Sequence, residues 1–194
     1  MLVVVTGGSG SGKSEYAESR IVALREQYRE ENCMDLESDI PTYYIATMHA
    51  FDEETIKRIE RHRAMRANKR FRTKEQYTSL QKLELKKENN PCMVLLECIS
   101  NLVANELYQA DGCIKNGKDC VSYIQMGILH CLSQTEHMVI VTNEVTSDGL
   151  AYDAETLHYS KILGEVNQML AKMADEVIEV IYGIPVWIKK EKVR

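Results

Sequence analysis

No apolar run in this chain is long enough to cross a bilayer, which argues against an integral membrane protein. An excess of basic residues is also missing. The 24 Lys and Arg against 29 Asp and Glu leave a net charge of −5, whereas a nucleic-acid binder would show a basic face. Six cysteines (Cys33, Cys92, Cys98, Cys113, Cys120 and Cys131) occur without a C-x-x-C pair or histidines at ligand spacing. That pattern indicates neither a disulfide scaffold nor a zinc site, and it predicts free buried thiols in a reducing cytosol. No basic leader with a cleavage site precedes the first apolar run, and no low-complexity tract, fixed-period repeat or interdomain linker follows. The expectation is one soluble, cytoplasmic domain over residues 1–194, with no nucleic-acid partner and no membrane span.

What is present is a phosphate-binding signature at the amino terminus. The run Leu2-Val3-Val4-Val5-Thr6 reads as a strand, Gly7-Gly8-Ser9-Gly10-Ser11-Gly12-Lys13-Ser14 as a glycine-rich loop, and Glu15–Glu31 as a helix. Glycines let successive backbone N–H groups turn inward around a polyphosphate. Lys13 can then reach the β and γ oxygens, and Ser14 can offer its hydroxyl to Mg²⁺.

Strand-like runs recur at Leu2–Thr6, Thr42–Ala46, Met93–Glu97, Met138–Thr142 and Val177–Tyr182, with helical patterns between them. Such alternation predicts an α/β fold with a mostly parallel sheet covered by helices on both faces. Continuous apolar runs at Cys92–Leu96 and Met138–Val141 suit central strands buried on both sides. Breakers fall at Glu31–Pro41, Asn89–Pro91, Asp111–Asp119 and Glu144–Asp153, and the tail Lys189–Arg194 reads as a solvated end.

Two further features carry chemistry. Met93–Leu96 is a hydrophobic strand ending in Glu97, the place where phosphate-loop proteins keep the carboxylate that orders Mg²⁺ or its water shell. The stretch Asp52–Arg66 reads as a helix, acidic in its first turn and basic in its last. Within it Arg58, His62 and Arg66 lie four apart, along one stripe. Like-charge repulsion disfavours the imidazolium between two guanidiniums, and a neutral imidazole is a nucleophile able to attack phosphorus. His62 also stands on the margin of an apolar face, three residues from both Ile59 and Met65, so a packing role is the alternative from spacing alone. His49, His130, His137 and His158 lack cationic neighbours of this kind and are given no role.

Taken together these blocks resemble the adenosylcobinamide kinase / adenosylcobinamide-phosphate guanylyltransferase family. The resemblance runs nearly end to end, through Val5–Gly8, Gly12–Ser14, Tyr44–Thr47 and Arg58-Ile59-x-x-His62-Arg63-x-x-Arg66. It continues in Arg72-Thr73-x-Glu75, Leu95–Ile99, Val141–Val145, Gly164-x-x-Asn167-Gln168 and Ala174–Val177. It implies a RecA-like P-loop NTPase fold and two reactions: phosphorylation of adenosylcobinamide by ATP or GTP, then GMP transfer from GTP to the new phosphate. His62 matches the family residue that carries GMP, with Lys13 and Glu97 as its catalytic companions. Nucleotide contacts implied are Gly7, Gly8, Ser9, Gly10, Ser11, Gly12, Lys13, Ser14, Ala46, Thr47, Met48, Arg63, Ala64, Met65, Arg66, Glu75 and Glu97, with Ser14 and Glu97 on the Mg²⁺ side. A homotrimer is also implied, with the corrinoid between subunits.

Two stretches depart from the family pattern, Thr146–Ala151 and Leu157–Lys161. They leave open a nucleotide-binding regulatory subunit, or a P-loop kinase for another small alcohol.

Overall fold

Successive residues of the first strand, β1 (Leu2–Thr6), feed two different cores. Leu2 and Val4 pack on one side of the sheet and Val3 and Val5 on the other. The period-2 alternation of a strand makes this unavoidable once both faces are covered. The computed structural model describes residues 1–35, 37–49, 53, 56–57, 59–60, 69–85, 91–108, 116–144 and 152–190.

Further strands are β2 (Thr42–Ala46), β3 (Phe71–Glu75), β4 (Met93–Glu97), β5 (His137–Val141), β6 (Glu176–Ile181) and β7 (Ile184–Lys190). They form a seven-stranded sheet in the order β3-β2-β4-β5-β1-β6-β7. Every pairing is parallel except β6 with β7. One face is covered by α1 (Lys13–Glu31) through Ala17, Ile21 and Leu24. The other carries α2 (Ile99–Leu107), α3 (Gly117–Leu132) and α4 (Ala154–Met173), which bury Leu102, Ile124, Ile128, Val166 and Leu170. A mostly parallel sheet between two helical layers is the architecture the sequence predicts.

The structure corrects several details. β3 and β7 are strands outside the five predicted. β3 is an edge strand with the charged sequence Phe-Arg-Thr-Lys-Glu, and β7 pairs back on β6 through a two-residue turn. The expected solvated end at Lys189–Arg194 is corrected in its first two residues: Lys189 and Lys190 belong to β7, and Lys189 Nζ donates to the carbonyls of Ala171 (3.2 Å) and Ala174, while residues 191–194 lie outside the described residues. Gly117–Asp119 is not a breaker but the first turn of α3, because the Asn116 side chain accepts from the Lys118 N–H at 3.2 Å and caps the helix. At Gly117 a Cβ would stand 2.2 Å from Ile162 Cδ1, so a larger residue there would force that side chain to move. Cys33 is exposed rather than buried, whereas Cys92, Cys98, Cys120 and Cys131 are buried and free. Cys113 lies outside the described residues.

Candidate active site

Parallel strands bring their carboxyl ends to one edge of the sheet, and ligands of open α/β sheets bind there. In register, Ala46 of β2 pairs with Glu75 of β3 on one side and Glu97 of β4 on the other. Three of the residues implied for nucleotide contact thus form a row. The Gly7–Ser14 loop leaves β1 on the same edge, two strands from β4.

The loop is held in conformations that glycine supplies at least cost. Gly10 and Gly12 have φ of 71° and 90°, and a Cβ on Gly7 would stand 2.5 Å from the Val180 carbonyl. The Ser11 N–H donates to the Gly8 carbonyl at 3.2 Å, closing the turn. Gly12 is the N-cap of α1 and provides no side-chain cap, so the first N–H groups of the helix and its positive dipole end face the loop. Ser11 Oγ is buried there without a hydrogen-bond partner among the described residues. These are the features of an anion cradle.

Three side chains converge on it. Lys13 Nζ donates to the Gly8 carbonyl at 2.9 Å, folded back over the loop. Burial pushes the Lys13 ammonium below its ordinary pKa, with the nearby Glu97 carboxylate opposing the shift. Ser14 Oγ donates to Glu97 Oε1 at 2.5 Å, and the Tyr44 hydroxyl donates to Glu97 Oε2 at 3.0 Å. Glu97 is buried, and each of its carboxylate oxygens accepts one of these hydrogen bonds. A hydroxyl and a carboxylate are hard oxygen donors, and Mg²⁺ takes one or two such groups while keeping substrate phosphates and waters as its other ligands. Among the described residues no group of three or more His, Cys, Asp or Glu side chains could form an all-protein metal cage. Ser14 and Glu97 therefore fit that ion.

The remaining residues divide. Thr47 is fully buried, donating to the Cys98 carbonyl and accepting from the Cys98 N–H, both at 2.8 Å, which ties the end of β2 to that of β4. Met48 follows it on the same edge, partly exposed. Glu75 is exposed and accepts from the Tyr77 hydroxyl at 2.7 Å, while the Tyr77 ring stacks on His49 at 3.6 Å between centroids. Of the predicted helix 52–66, Glu53, Ile56, Lys57, Ile59 and Glu60 are helical. His62, Arg58, Arg63, Ala64, Met65 and Arg66 lie outside the described residues.

Two positioning groups escaped sequence reading. Tyr44 counted in the sequence only as part of the Tyr44–Thr47 block, without a role, and Asn105 stands inside a helix with no local signal. Asn105 Nδ2 donates to the carbonyls of Thr47 (2.8 Å) and Tyr77 (2.9 Å), holding the β2 end and the segment after β3 together. Beside them, the Asn143 side chain donates to Ser100 Oγ at 2.7 Å, and Asn167 donates to the Asn143 carbonyl at 3.2 Å. Cys98 is buried, and desolvation pushes its thiol up, which disfavours the nucleophilic thiolate.

Comparison with known proteins agrees in extent with this geometry. A family model described as cobinamide kinase / cobinamide phosphate guanyltransferase matches residues 3–188. The bifunctional adenosylcobalamin biosynthesis protein CobU of Escherichia coli (strain K12) is 34% identical, covering 97% of this chain and 100% of its own length. The Salmonella typhimurium protein of the same name is also 34% identical, with 97% and 100% covered. CobP of Pseudomonas aeruginosa is 28% identical, with 97% of each covered. Among solved structures, an ATPase domain superposes with a TM-score of 0.50 at 10% identity, over 92% of this chain and 68% of that one. At that identity the likeness speaks to fold alone, and the fold is a RecA-like P-loop α/β fold.

Proposed function

The chain belongs to the cobinamide kinase / cobinamide phosphate guanyltransferase family, and we propose that it performs both reactions of that description. In the first, the hydroxyl oxygen on the adenosylcobinamide side arm attacks the γ-phosphorus of ATP or GTP, and the nucleoside diphosphate leaves. Loop N–H groups and Lys13 stabilise the oxygens on which charge develops. Ser14 and Glu97 would hold Mg²⁺, which when bound neutralises phosphate charge and aligns the chain of phosphates. Tyr44 keeps Glu97 aimed, since it grips the carboxylate oxygen that Ser14 does not.

In the second reaction, a neutral His62 nitrogen attacks the α-phosphorus of GTP and pyrophosphate departs. The corrinoid phosphate then displaces the imidazole to give adenosylcobinamide-GDP. Splitting one displacement into two is the advantage of a covalent carrier. Arg63, Ala64, Met65, Arg66, Ala46, Thr47, Met48 and Glu75 complete the nucleotide contacts in this reading, supported by their match to the family pattern. The reading also takes residues 1–194 as one domain, working in the cytoplasm as a homotrimer.

The single observation that carries it is the convergence of Lys13, Ser14 and Glu97 at the ends of β1 and β4, in a chain matched over nearly its whole length. Incubation of the protein with adenosylcobinamide, Mg²⁺ and GTP, followed by mass analysis of the corrinoid, tests it. The expected products are the phosphate and then the GDP derivative. Recovery of unchanged corrinoid from folded, GTP-binding protein would favour the regulatory-subunit alternative, and phosphorylation of other alcohols alone would favour the simple kinase.

A further inference from the structure

The β6–β7 hairpin turns directly against the phosphate loop. The Gly183 N–H donates to the Ser11 carbonyl at 2.8 Å, and a Cβ on Gly12 would lie 3.3 Å from Gly183 Cα. Between the paired residues Ile181 and Ile184 the turn has only Tyr182 and Gly183, with φ of 51° and 81°. Positive φ at both central residues is the type I′ pattern, in which Asn, Asp or Gly is favoured at the first position and a bulky aromatic is an outlier. Here that position holds a tyrosine whose side chain is 93% exposed. The ring thus incurs a backbone cost and gains no burial within its own chain. An outlier of this kind beside a ligand cradle points to contact with the ligand.

Sheet order says which part of the ligand that is. Glu97 and the metal-side hydroxyl lie toward β4, two strands from β1 in one direction, and the hairpin turn lies in the opposite direction, across β6. A nucleotide seated with its terminal phosphates near Lys13 and Glu97 runs its nucleoside end away from them, over about 10 Å of strand spacing. We propose that Tyr182 is a stacking platform for the base of the nucleotide that donates the phosphoryl group, which makes it a nucleotide-binding residue for the proposed kinase step. The inference rests on the nucleotide site of that reading. A ring face offers no edge-specific hydrogen bonds, so the platform accepts adenine and guanine alike.

Binding of GTP, ATP and inorganic tripolyphosphate to the full chain in Mg²⁺ tests this, in wild type, Tyr182→Phe and Tyr182→Asn. Asn suits the turn better than Tyr, so its urea midpoint should equal or exceed wild type. Expected for Tyr182→Asn is about tenfold weaker binding of both nucleotides, unchanged tripolyphosphate affinity, and a raised KM with kcat preserved in phosphorylation. Tyr182→Phe should stay within about twofold of wild type, since stacking needs the ring and not the hydroxyl. Unchanged nucleotide affinity in Tyr182→Asn would overturn the proposal. So would an equal loss for tripolyphosphate, which would make the hairpin a brace for the loop, or a loss that tracks a change in oligomeric mass, which would make Tyr182 a subunit contact. Wild-type protein that binds tripolyphosphate but no nucleotide would overturn the nucleotide-site reading, and the platform with it.

Discussion

Ser14 Oγ and Glu97 Oε1 are 2.5 Å apart, joining the first turn of α1 to the last residue of β4 across 83 positions of sequence. A phosphate loop and an acid are both common. Their direct contact, with Tyr44 on the other carboxylate oxygen, is the arrangement on which the proposed site for a phosphate-bound cation rests.

Glu97→Gln keeps the shape of the side chain and removes its charge, so folding should be retained. Phosphorylation should slow about a hundredfold, and the Mg²⁺ concentration for half-maximal rate should rise. Tyr44→Phe, which loses one hydrogen bond to a charged group, should slow it by about tenfold and shift the Mg²⁺ dependence in the same direction. Steady-state rates across a Mg²⁺ titration check both.

Lys13→Met separates function from stability. Losing the cation aimed at the phosphates should cost about 2–4 kcal/mol of barrier, a hundredfold or more in rate. The free protein should be no less stable, because burial holds the Lys13 pKa below its ordinary 10.5 and the charged form is what burial penalises. As the pH rises toward 10.5 the folded chain releases this proton before the unfolded one does, so the unfolded state binds more protons and stability gains with pH. That gain should vanish in Lys13→Met, as urea unfolding at several alkaline pH values will show.

Neighbouring glycines of the loop should respond differently to the same change. Gly7→Ala drives a Cβ to 2.5 Å from the Val180 backbone at φ 150°, and neither partner can yield cheaply. A loss of about 2 kcal/mol is expected, in the range for an overpacked backbone contact. A Cβ on Gly8 would meet nothing within 4 Å, and Gly8→Ala should leave stability in urea within about 0.5 kcal/mol of wild type.

Glu18 of α1 is fully buried and pairs with Lys69 at 2.6 Å, just before β3. Removing one partner of a buried pair takes away part of what compensates the other's charge. Lys69→Met should therefore destabilise by about 1–3 kcal/mol. The double variant with Glu18→Gln should recover much of that loss, a coupling that a double-mutant cycle reads directly.

The elements that announced themselves in sequence are those whose burial is continuous. β1, β4 and β5 are apolar on both faces because helices cover both faces, and Met93-Val94-Leu95-Leu96 reads accordingly as a central strand. β3 escaped because Arg72, Lys74 and Glu75 are the charges with which an edge strand resists pairing with other chains, and on paper they look like a loop. β7 escaped because Pro185 breaks its pattern, which an outermost strand tolerates where a central one would not. At the site, Gly7–Ser14 was legible because its chemistry is contiguous. The grips of Tyr44 on Glu97 and of Asn105 on the Thr47 and Tyr77 carbonyls were not, since each acts on a neighbour that only the fold brings near.

The proposed second reaction depends on guanylylation of His62, and intact-protein mass measurement after incubation with GTP and Mg²⁺ addresses that proposal most directly. Wild-type protein should gain the mass of one GMP, in a bond lost in acid and kept in base as for a phosphorus–nitrogen link, and His62→Ala should gain none while still phosphorylating adenosylcobinamide. Unmodified wild-type protein that nonetheless converts the corrinoid phosphate to its GDP form, or an undiminished adduct in His62→Ala, would contradict it.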